Sequence, residues 1–154
     1  MSYHNGSVWP HDTALCVMGL SRYGERDGVV KLTADLFETA SRMGMRLPEL
    51  FCGFPRSPGE PPVAYPVACL PQAWAAGSVF MMLQACLGVS IDANRGEILL
   101  VDPRLPIGID RLRVEHLRVG AETVDLTFQR QGDRVTVHAE GGVPLTIRSK
   151  PVWE

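Results

Sequence analysis

The run Pro71-Gln72-Ala73-Trp74-Ala75-Ala76-Gly77-Ser78-Val79-Phe80-Met81-Met82-Leu83 constrains the fold most, because as a helix it is apolar nearly all round. Such a helix has no face suited to water and calls for cover on both sides. Pro71 suits the first helical position, where the missing N–H has no partner in any case. Ahead of it, Ala14, Leu15, Val17, Met18 and Leu20 follow Pro10-His11-Asp12 with mostly apolar helical spacing up to Tyr23-Gly24, which predicts a first helix. After Asp27-Gly28, Val29, Leu32, Leu36, Ala40 and Met43 recur at three- and four-residue intervals, with Lys31, Asp35, Glu38 and Arg42 left toward water. That spacing predicts an amphipathic second helix ending near Gly44. Two helices offer too little surface to enclose the third, so the pattern asks for further partners.

Past Gly96 the period changes. Val124, Leu126 and Phe128 alternate with Asp125, Thr127 and Gln129, as a half-buried strand does. Residues 98–101, 112–119, 134–138 and 143–148 are the other predicted strands, with hairpin turns at Gln131-Gly132-Asp133 and Gly141-Gly142. The chain therefore divides into a helical part, residues 1–92, and a β-rich extension, residues 93–154. Between the second and third helices, residues 46–70 hold Pro48, Pro55, Pro58, Pro61, Pro62 and Pro66 and read as a stiff loop, long enough to suggest a functional one.

Bulk properties narrow the function. With 154 residues, 45% apolar and 21% charged, the chain has the composition of one ordinary globular domain. A net charge of -2 gives no electrostatic reason for a nucleic-acid partner. No apolar run approaches the roughly 20 residues that span a bilayer, and no charged-then-apolar leader opens the chain, so the expectation is an unprocessed cytoplasmic protein without a membrane partner. Cys16, Cys52, Cys69 and Cys86 lie far apart, without C-x-x-C spacing, and read as reduced core thiols, because Cys16 and Cys86 sit in apolar helical runs. The four histidines are dispersed and none clusters with cysteine or carboxylate, so no metal site is expected, and His116 and His138 read as surface or interface residues; the sugar chemistry considered below calls for no cofactor.

Two segments concentrate chemistry. Tyr3, His4, Asn5 and Trp9, beside Pro10, suit a sugar, because pyranose C–H faces stack on aromatic rings and hydroxyls need directional polar partners. The same residues also fit a core tryptophan with Asp12 behind it as a helix cap. Glu49 sits among Leu47, Pro48, Leu50 and Phe51, where burying a carboxylate is costly unless it is paired. Desolvation would raise its pKa and Arg46 or Arg56 would lower it, which poises a general base; an exposed loop glutamate is the alternative.

Three blocks in order, Tyr3-His4-Asn5-Gly6-Ser7-Val8-Trp9-Pro10-His11-Asp12, then Arg46-Leu47-Pro48-Glu49-Leu50-Phe51-Cys52-Gly53-Phe54, then Tyr65-Pro66-Val67-Ala68-Cys69 leading to Pro71-Gln72-Ala73-Trp74-Ala75-Ala76-Gly77, resemble the closing blocks of bacterial amylo-α-1,6-glucosidase, or glycogen-debranching, proteins. A Pro-Glu motif ahead of a Pro-x-Ala-Trp helix is also similar to the end of the glucoamylase catalytic domain. The resemblance covers the helical part closely and the β extension more loosely.

It implies a mainly α fold, the C-terminal part of an (α/α)6 toroid of the six-hairpin glycosidase kind, followed by a small antiparallel β tail packed against the outside of the ring. It implies inverting hydrolysis of α-glucosidic bonds with Glu49 as the base that activates water. Inverting enzymes set a second carboxyl group opposite, about 6.5–9.5 Å away, as the acid. In the family that acid lies on a loop upstream of the region matched here, so the chain alone is expected to be inactive and to need the upstream part of the enzyme, from the same reading frame or as a separate chain. Tyr3, His4, Asn5, Trp9, His11, Asp12 and Arg46 become contacts to an α-glucan or oligosaccharide, while Trp74, by its helical spacing, reads as core. The alternative reading is a non-catalytic module that binds glucan or a protein.

Overall fold

The computed structural model describes residues 2–57 and 59–149. They form, in order, β1 (Ser7–Val8), α1 (Pro10–Arg22), α2 (Arg26–Arg42), β2 (Phe51–Cys52), α3 (Ala73–Leu87), β3 (Val89–Asp92), β4 (Glu97–Val101), β5 (Arg111–Val119), β6 (Glu122–Gln131), β7 (Arg134–Gly141) and β8 (Leu145–Arg148). The described residues carry 31% helix and 31% strand, the latter in three sheets, so the chain is a small mixed α/β structure and not part of a mainly α toroid. The described residues include three helices, which do not make a ring for a tail to lie against.

Each helix has a local cause. Pro10 opens α1 with its fixed φ, while Trp9 stands at the cap without a side-chain hydrogen bond. Asp12 is thus not the cap but an acid in the first turn, where the helix dipole favours it. Along α2 the exposed side is laced by Lys31–Asp35 at 2.6 Å and Arg42–Glu38 at 2.9 Å, both one turn apart. In α3 the Gln72 side chain caps the start by accepting from the backbone N–H of Trp74 (2.8 Å) and Ala75 (3.3 Å), which leaves Pro71 outside the helix. Gly88 ends α3 at φ 63°, and a Cβ there would overlap the carbonyl of Val101, so only glycine lets β4 come this close.

Ala75, Ser78, Met82, Ala85 and Cys86 of α3 are buried, most of them in a core shared with Ala14, Val17, Val29, Leu36, Leu47 and Phe51. The helix is not covered all round, however, because Trp74 and Phe80 are 68% and 74% exposed. Nor is Cys16 a core thiol; it is exposed, while Cys86 is buried, and burial pushes the Cys86 thiol pKa up.

A second core joins Leu87, Ile98, Leu100, Leu105, Val119, Val124, Leu126, Phe128 and Val143. Over it lies the antiparallel sheet β5-β6-β7, whose β6–β7 turn falls at Gly132. The second expected hairpin is absent. From β7 the chain crosses to β4, and β8 pairs with it in parallel, Ile98 opposite Leu145, so the β part is not wholly antiparallel. Arg26 links the two cores by donating to the Ser21 hydroxyl (2.6 Å) and to the last carbonyls of α3, at Ala85 (2.9 Å) and Cys86, with Asp102 3.9 Å away.

Candidate functional site

Short local bonds shape the segment before α1. Ser2 and Asn5 bond to each other, and Gly6 turns the chain at φ 78°. Ser7 and Val8 then pair with Cys52 and Phe51. The N–H of Gly53 donates to the Gly6 carbonyl at 2.8 Å, and a Cβ on Gly53 would overlap that oxygen. This close approach fixes the loop bearing Tyr3 and His4 beside the loop bearing Glu49.

Glu49 lies between buried anchors, Leu47 and Pro48 before it and Leu50 and Phe51 after it, and is itself half-buried. Its backbone N–H donates to the Cys69 carbonyl at 2.9 Å, and its carboxylate accepts from the Cys69 N–H at 3.3 Å and from the Tyr3 hydroxyl. The Tyr3 bond, more than any other influence, holds the Glu49 pKa below the usual carboxylate range. Conversely, the Tyr3 phenol is pushed up to about 12, chiefly by the same bond.

This differs from the expected origin of the charge state. Desolvation does raise the Glu49 pKa, but it is outweighed, and neither Arg46 nor Arg56 supplies the opposing effect. Arg56 instead forms an ion pair with Glu38 at 3.6 Å and donates to the Glu60 carbonyl at 2.6 Å. Glu49 is therefore a firmly ionised acceptor at neutral pH.

Around it the aromatic and imidazole rings form a connected set. Tyr3 meets Trp9 at 5.0 Å between centroids, His4 at 4.9 Å and Tyr65 at 5.7 Å, all edge-on. His4 stacks on Trp9 at 5.8 Å, and His11 touches Trp9 at 5.6 Å and Trp74 at 5.4 Å. These separations lie in the favourable range for ring pairs. His4 and Trp74 are exposed and Tyr3, Trp9, His11 and Tyr65 are half-buried, so the set reaches the surface without lying wholly on it.

Of the expected site residues, the fold gathers Tyr3, His4, Trp9, His11 and Glu49. Asp12 joins through His11 at 3.3 Å. Asn5 is exposed and contributes backbone bonds. Arg46 lies in a different groove, beside Phe37, Met45, Pro71 and Phe80. Tyr65 and Trp74 enter the site unexpectedly; Trp74 was predicted to be core because an apolar helix gives no period that marks its outer face. A separate cavity of about 640 Å³, between α2 and the residues following β2, is lined by none of the expected site residues.

Among the described residues no group of three or more His, Cys, Asp or Glu is placed to hold a metal ion, and no helix is long and apolar enough to cross a membrane. Comparison with protein-family models, with curated proteins and with solved structures finds no match to this chain.

Proposed function

We propose that the Glu49 site takes an α-glucan or oligosaccharide and that Glu49 is the base of an inverting glycoside hydrolase of the glycogen-debranching type. The observation that carries this reading is an ionised carboxylate fixed beside a partly exposed set of rings. Rings bind the apolar faces of a sugar, and the carboxylate accepts from water or from a sugar hydroxyl. In the reaction, Glu49 takes a proton from a water whose oxygen attacks the anomeric carbon. The glycosidic C–O bond breaks on the opposite face while an acid protonates the leaving oxygen. That acid comes from the upstream part of the enzyme, in the same reading frame or as a separate chain, and a missing positioned acid costs about 10²–10⁴-fold in rate. The reading rests on the local site and needs no helical ring.

A second reading, a glucan-binding module without catalysis, is favoured by one feature: both carboxylate oxygens of Glu49 already accept a hydrogen bond. Glu49→Gln in the enzyme completed by the acid-bearing part separates the two. The hydrolase reading expects turnover of a branched dextrin to be abolished with binding largely kept. Retained turnover removes Glu49 from the mechanism.

A further inference from the structure

Helix α3 carries no charged residue from Ala73 to Leu87, yet one side of it is bare. Ala75, Ser78, Met82, Ala85 and Cys86 are buried, whereas Ala73, Trp74, Ala76, Gly77, Phe80 and Gln84 are exposed. At 3.6 residues per turn the exposed six fall on one side, with Trp74 and Phe80 standing about 60° to either side of Gly77. A Cβ added at Gly77 meets no atom within 4 Å, so the strip between the two rings is open. On the Phe80 flank this side runs into an apolar groove of about 420 Å³, walled by Phe37, Met45, Leu47, Pro71 and Phe80. Trp74, Phe80 and Met45 are each more than two-thirds in water. An uncharged apolar face of this kind marks an interaction surface.

Two properties of the face fit a second copy of this chain as its occupant. The first is symmetry. Pairing two α3 helices antiparallel about a two-fold axis at Gly77 sets residues equally far before and after Gly77 at the same level, Trp74 of one copy with Phe80 of the other and Ala73 with Met81. Bulky rings then meet across a seam floored by glycine and alanine, and both Phe80 rings fall on the groove side, each toward the other copy's groove. The second is charge. An isologous contact brings a patch against itself, so charged residues in it would repel their own kind, and α3 has none. Aromatic side chains bury about 150–250 Å² each, so the exposed parts of Trp74 and Phe80 bring roughly 200–350 Å² toward the about 800 Å² per partner of a standard interface. Met45, the groove wall and the small residues add to this, which suits a reversible contact and not a permanent one. We infer that the outer face of α3 is a self-association surface, pairing two copies antiparallel across Gly77 in a weak dimer. Trp74 also meets His11 at 5.4 Å, so the second copy borders the candidate site. The contact does not depend on what binds beside Glu49, and in dilute solution the monomer keeps Phe80 in water.

The test is sedimentation equilibrium of the chain from micromolar to millimolar concentration, on the wild type, Gly77→Glu, Gly77→Lys and an equal mixture of the two variants, with thermal unfolding as the control for folding. Position 77 has room for a side chain, and glutamate and lysine both suit a helix better than glycine, so both variants are expected to keep the fold. The wild-type mass is expected to climb with concentration from 16.9 kDa toward twice that value. Each variant alone sets two like charges at the axis and is expected to raise the dissociation constant by about tenfold or more. Their mixture sets opposite charges face to face and is expected to regain the dimer. A wild type that stays at 16.9 kDa throughout overturns the proposal, even if it adsorbs to vesicles of neutral phospholipid. So does a dimer that both variants leave intact, because it would lie on another surface. A mixture that associates no better than either variant overturns the antiparallel pairing at Gly77.

Discussion

The β half and the helical half handle their apolar residues in opposite ways. In β6, Val124, Leu126 and Phe128 point into a closed core, while Asp125 on the other face accepts from Arg113 (2.9 Å) and from the His116 N–H (2.8 Å). The alternation of the strand is used up by its own fold. In α3, Met82 and Cys86 are buried, yet Trp74 and Phe80 on the same helix face outward. Every residue brought together in the candidate site belongs to the helical half, where the rings are exposed or half-buried. What the two cores do not consume is left at the surface, and the large aromatic part of it, Trp74 and Phe80, lies on α3.

Two phenylalanines give the widest contrast. Phe128 is wholly buried in the β core, and Phe128→Ala is expected to cost about 3–5 kcal/mol in chemical denaturation, the usual loss for a truncated core aromatic. A loss near zero would mean that the β core is not closed as described.

A subtler effect concerns pH. Because the Glu49 pKa is depressed in the folded chain, its contribution to stability is present above the ordinary unfolded value of about 4.3 and is lost as pH falls through the folded value. Tyr3 behaves in the opposite sense. Its pKa is raised, so its contribution is present below the unfolded value of about 10 and is lost as pH rises through about 12. Tyr3→Phe is expected to move the Glu49 carboxyl titration, followed by carbon NMR, upward toward the ordinary value. An unmoved titration would show that the phenol does not govern Glu49. The smallest effect belongs to the outer face of α3: Phe80→Ser is expected to change stability by less than about 0.5 kcal/mol, because the ring is 74% exposed. A loss comparable to that of Phe128→Ala would erase the distinction between the two halves.

The periodic elements were legible in the sequence. Helical spacing located α1 and α2, and alternation located β6, because each of these buries one face. Strands β1 and β2 were not legible, since two residues are too few to display a period. The pairing of β8 with β4 in parallel depends on contacts remote in sequence, which a Gly141-Gly142 turn signal does not record. An apolar run without charged residues told that α3 is a helix but not which side faces water, so Trp74 was assigned inward. Within the site, the chemistry of Tyr3, Trp9 and Glu49 was readable residue by residue. Their partners were not: the hydroxyl that fixes Glu49 comes from 46 residues away, and the N–H that joins it belongs to the backbone of Cys69. Arg46, close to Glu49 in sequence, lies in another groove.

The central claim is that the surface around Glu49 receives a saccharide. Its most direct test is an amide and aromatic NMR map of the chain titrated with maltoheptaose. The expected result is a set of shifts confined to Tyr3, His4, Trp9, His11, Glu49, Tyr65, Cys69 and Trp74. Shifts centred on the cavity beside Phe51 and Phe54, or on the outer face of the β5-β6-β7 sheet, or no shifts at all, would contradict it.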